Sequence, residues 1–115
     1  MSENDGHAIM IHLVLDGGHF GSKEERDAVH ALEDELEKAL DLAGAGEVDG
    51  DTFGGGEVVV YIYGPDADVM YATVGPVLQR QSQFSGHVIL LYGDHVEGVP
   101  ERRVELEAGS GSRII

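Results

Sequence analysis

The residues of this chain that could do chemistry are its histidines, His7, His12, His19, His30, His87 and His95, set among 22 acidic side chains. Imidazoles titrate near neutrality, so they can carry protons or hold metal ions. A zinc site on a helix needs His-x-x-x-His or His-Glu-x-x-His, and neither spacing occurs. His12, Asp16 and His19 could converge at the exit of a first strand, but a loop histidine beside an acid is commonplace. Asp49, Asp51 and Glu57 around Gly50 suggest a calcium loop, yet the register fails. Counting Asp49 as the first position puts Phe53 at the fifth and Val60 at the twelfth, where a bidentate Glu is required. No metal and no cofactor is expected.

Other reaction classes fare no better. Gly17-Gly18-His19-Phe20-Gly21 between a strand and a helix has the outline of a phosphate loop. It lacks Gly-x-Gly-x-x-Gly, and Gly21-Ser22-Lys23 reverses the Walker order. There is no Cys, and no Gly-x-Ser-x-Gly elbow surrounds a serine, so no nucleophile is marked. Paired carboxylates are everywhere in so acidic a chain and discriminate nothing.

The 115 residues fit one domain, spanning 1–115, and can bury a core without disulfides. Seven basic residues against 22 acidic ones give a net charge of −15, and only Lys23 and Lys38 are lysines. Such a chain is repelled by nucleic-acid phosphates and by anionic membrane surfaces, so neither is an expected partner. Three explanations of the acidity stay open: solubility, adaptation to a salty cytoplasm, or a surface shaped for a basic partner. The polar start, residues 1–6, has neither the basic nor the apolar region of a secretory signal, and a cytoplasmic location is expected.

The elements that must position these residues are legible. Residues 8–16 alternate Ile9, Ile11, Leu13, Leu15 with Met10, His12, Val14, largely apolar on both faces, as in an inner strand. Ser22 with Glu25 is a capping box opening a helix, on which Val29, Leu32, Leu36, Ala39, Leu40 and Ala43 recur while Glu33, Asp34, Glu35 and Glu37 face away. Gly44 or Gly46 ends it. Residues 47–53 form a weak, acidic strand suited to a sheet edge. Gly54-Gly55-Gly56 then turns the chain into the strand 57–63, with Val58, Val60 and Ile62 on one face and Val59, Tyr61 and Tyr63 on the other. Asp66 caps a second helix striped by Met70, Val74, Val77 and Leu78, in which Pro76 should kink the last turns. Residues 87–92 are another strand. Val104 and Leu106, alternating with Arg103, Glu105 and Glu107, suggest a short extra one, and residues 1–6 and 108–115 read as disordered tails.

The order strand, helix, strand, strand, helix, strand implies an α+β, ferredoxin-like split βαβ sandwich: a four-stranded antiparallel sheet with two helices on one face, extended by the C-terminal segment. The other face is left bare, and it carries Met10, His12, Val14, Val59, Tyr61 and Tyr63. Soluble monomers rarely expose so contiguous an apolar patch, so these six are the candidate binding residues. A homodimer is the favoured cover, with a partner protein, a small ligand or the C-terminal segment as alternatives. His12 in that patch is read first as a half-buried histidine bonded to Tyr61 or Tyr63, and second as a proton carrier.

Gly46-Glu47-x-Asp49-Gly50-x-x-Phe53-Gly54-Gly55-Gly56-Glu57, followed by Tyr63-Gly64-Pro65-Asp66-Ala67-Asp68, resembles small bacterial or archaeal ferredoxin-like proteins of unassigned function. The resemblance covers most of the chain between the first and last strands and implies the α+β fold, with no transferable site residues. Together these readings point to a non-enzymatic binding or regulatory module. The alternatives are an acidic, immunity-type inhibitor of a basic protein and a small enzyme using His12 near Tyr61 or Tyr63.

Overall fold

This computed structural model describes residues 6–93 and 100–106; the expected tails, apart from Gly6, and His95 lie outside them. The described elements are β1 His7–Val14, α1 Lys23–Ala43, β2 Glu47–Gly54, β3 Glu57–Gly64, α2 Ala67–Arg80, β4 Gly86–Leu91 and β5 Glu101–Leu106. The strands make one 5-stranded sheet in the order β2-β3-β1-β4-β5. Every neighbouring pair is antiparallel. Over the described residues the chain is therefore α+β with two helices, and the sheet has five strands because β5 pairs along β4, Val104 opposite Val88.

Alternation decides which face is covered. Ile9, Ile11 and Leu13 of β1, Val58, Val60 and Ile62 of β3, and Val88 and Leu90 of β4 are buried against Val29, Leu32, Leu36 and Leu40 of α1 and Met70, Val74, Val77 and Leu78 of α2. Removing each of these side chains from water contributes about 1.5–3 kcal/mol, which is what holds the helices to the sheet. Ser22 Oγ accepts the Glu25 N–H at 3.0 Å and the Glu25 carboxylate accepts the Ser22 N–H at 3.0 Å, completing the capping box. Gly44, at φ 62°, closes α1 in the left-handed conformation that favours glycine. Asp66 caps α2 by accepting the Asp68 and Val69 N–H groups.

α2 continues from Ala67 to Arg80 with Pro76 inside it. The carbonyl of Ala72 loses its intrahelical donor there, but both residues lie on the exposed side, where water can take the donor's place. β2 carries a bulge: Val48 faces Ile62 and Gly50 faces Tyr61, so Asp49 has no partner of its own. The bulge puts Val48, Asp51 and Phe53 on the same, helix-covered face, although strict alternation would separate Val48 from the other two. β5 is tied to the first turn of α2, where the Tyr92 hydroxyl donates to Asp68 Oδ1 at 2.7 Å and Arg102 Nη1 lies 3.7 Å from that oxygen.

Candidate functional site

The registers set rows across the helix-free face. Thr52, Val59, His12, His87 and Glu105 form one row, and Gly50, Tyr61, Met10, Ile89 and Arg103 the next. Tyr63, Ala8, Leu91 and Glu101 continue the pattern, and Val14 sits opposite Glu57 at the other end. All six residues expected on this face are there. Val59 is 9% exposed, Tyr63 38% and Val14 50%, with Met10, His12 and Tyr61 half-buried. Sequence reasoning missed His87, Ile89 and Leu91, which β4 adds to the same surface. The signal was present in the alternation of Val88 and Leu90 with His87 and Ile89, since the first pair is buried.

His12 does not bond to either tyrosine. Its ring stacks on His87, with centroids 4.4 Å apart and planes 12° from parallel, and its Nδ1 lies 3.6 Å from Glu57 Oε2. Gly86, the first residue of β4, makes this approach possible: any Cβ there would overlap the His12 carbonyl oxygen. Burial pushes the His87 pKa down; neighbouring His12 and Arg103 add to the shift, and Glu105 and Glu57 oppose it. The stack thus favours a neutral His87 ring, while Glu57 lies on the His12 side of the pair.

Two other histidines are spent on structure. His7 Nδ1 accepts the Ala67 N–H at 2.8 Å, at the start of α2. His19 Nδ1 accepts the Gly55 N–H at 3.0 Å, fastening the loop after β1 to the β2–β3 turn. His19 and Asp16 therefore do not join His12 as ligands. The phosphate-loop outline also has a structural explanation. The Glu25 carboxylate accepts the N–H groups of Asp16 at 2.8 Å and Gly17 at 2.9 Å as well as that of Ser22. An internal carboxylate thus already occupies the place of an anion. These bonds, that from Asp16 foremost, hold the Glu25 pKa below the ordinary range.

A further cluster lies on the covered side, at the β2 edge. His30 and Glu33 of α1 meet Asp51 of β2, and one potential ligand atom from each lies within 4.8 Å of the others. Among the described residues this is the one such group of His and carboxylates. Glu33 therefore does not simply face away from the protein, as its place in the helix suggests. Burial, then contact with Asp51, pushes its pKa up to about 8.

No protein-family model, curated protein or solved structure matches this chain. Among the described residues no helix is long and apolar enough to cross a membrane.

Proposed function

We propose that this chain is a cytoplasmic, non-enzymatic binding or regulatory module that dimerises through its helix-free sheet face. The observation that carries this reading is the row Tyr61, Met10, Ile89, flanked by Val59, Tyr63 and Leu91. It makes a continuous apolar and aromatic surface over three strands, and no described element lies across it. Water is a poor solvent for such a surface, and association removes it from water. The strand order β2-β3-β1-β4, with both helices on the opposite face, supports a ferredoxin-like split βαβ core to which β5 adds an edge.

A second copy suits this face better than a strongly basic partner. A two-fold interface must be complementary to itself, and here Arg103 and two imidazoles share the surface with Glu57, Glu101 and Glu105. With 22 acids against 7 bases, copies meeting through other surfaces would repel. Molar mass by light scattering, at low and at molar salt, tests the reading. A particle of twice 12.3 kDa that persists in both is expected, and Met10→Glu should leave a folded monomer. A wild-type monomer in both conditions would overturn it.

A further inference from the structure

We propose that His30, Glu33 and Asp51 form a binding site for a borderline divalent metal ion, such as Zn2+ or Fe2+, at the seam between α1 and β2. The site is on the covered side of the sheet and is independent of dimerisation. His30 and Glu33 are three residues apart, so they lie on one face of α1. The β2 bulge turns Asp51 towards them, and His30 Nε2 is 3.4 Å from Asp51 Oδ2.

The carboxylates are the strongest part of the case. Glu33 Oε2 is closed off from solvent, with under 1 Å² accessible, and has no hydrogen-bond partner. It faces a second acid, and none of the Lys or Arg ion pairs among the described residues reaches either group. Two carboxylates packed together with an orphaned oxygen must hold either a proton or a cation between them. A divalent ion fills that place and balances both charges.

The donor set selects the ion. One imidazole nitrogen with two carboxylate oxygens suits Zn2+ or Fe2+, whereas Mg2+ and Ca2+ favour all-oxygen shells and Cu(I) favours sulfur. Metal–ligand bonds of about 2.0–2.2 Å require the three donors to close in. His30 can move most, because its side chain is 59% exposed against 21% for Asp51. Phe53 is a positioning residue: its ring meets the His30 ring edge-on, centroids 5.9 Å apart, from the same face of β2 as Asp51. Three protein ligands leave a coordination position for water or a small ligand.

The test is Zn2+ titrated into the full chain after EDTA treatment and dialysis, followed by calorimetry and by the imidazole nitrogen signals in NMR. We expect one ion per chain, at about micromolar affinity or tighter, with the His30 signals shifting as the ion binds. Losing an outer-shell partner typically weakens a metal site about tenfold or more, so His30→Gln, Glu33→Gln and Asp51→Asn should each cost at least that. Several weak ions per chain, indifferent to these substitutions, would mean diffuse binding by the acidic surface and would overturn the proposal. So would Zn2+ that leaves the His30 signals of the wild type unmoved, a result that does not depend on any variant folding. Mg2+ binding as tightly as Zn2+ would overturn the assignment to a borderline ion.

Discussion

On the helix-free face His12 and His87 lie ring on ring in an apolar field, while at the covered edge His30 sits beside two carboxylates. The same residue type meets opposite demands. In the stack, burial first and then the neighbouring His12 and Arg103 disfavour a proton on His87. In the cluster, burial first and then the Asp51 carboxylate disfavour removal of the proton from Glu33. The first region weakens in acid and the second in base. A face that association can cover therefore prefers a neutral His87, whereas a seam inside the protomer prefers an added positive charge.

The largest contrast should come from neighbours on β1 that point to opposite faces. Ile11 is completely buried under the helices, and Ile11→Ala should cost about 2–5 kcal/mol. Met10→Ala, measured in urea at concentrations too dilute for association, should cost less than about 1 kcal/mol, because its side chain is still part exposed there. Equal losses would mean that the helix-free face is covered within the protomer.

Base separates the regions next. Glu33 holds its proton up to about 8 when folded and releases it near 4.5 when unfolded. Its contribution to stability is fully present below the lower value and is lost as pH rises through the upper one. With EDTA present, Glu33→Gln should flatten this alkaline limb and raise stability at pH 9 by about 1 kcal/mol, solvent screening at this half-exposed group included. Unchanged alkaline unfolding would break the contrast.

The smallest effect lies on the acid side. The folded pKa of His87 is depressed, so its contribution is present above the ordinary histidine value and fades as pH falls through the folded one. His87→Gln should flatten the acid limb of thermal stability and leave the alkaline limb unchanged. A variant that altered both limbs would show that the two regions are coupled.

Much of this was readable in the chain because local rules and alternation carried it. Ser22 with Glu25, Asp66, and Gly44 mark helix ends through backbone groups within a turn, and the structure uses all of them. The six candidate residues of the open face follow from period-two alternation, which fixes a face wherever a strand stays regular. β5 was legible as a strand from Val104 and Leu106, although only its pairing with β4 gave it a place. The apolar points Val48 and Phe53, five residues apart, also hinted that β2 could not be regular.

What the sequence by itself determined was therefore the set of elements, their caps and the apolar side of each regular strand. Each of these depends on residues a few positions apart. Tertiary structure alone decided the pairing of His12 with His87 and the meeting of His30, Glu33 and Asp51. The first depends on β4 lying against β1 where Gly86 lets the backbones approach, and the second on a bulge that redirects one aspartate under α1. His30 and Glu33 share a helix face by their spacing. Neither His87 nor Asp51 could be assigned to its partner by counting along the chain, because register and packing across the sheet bring each of them in.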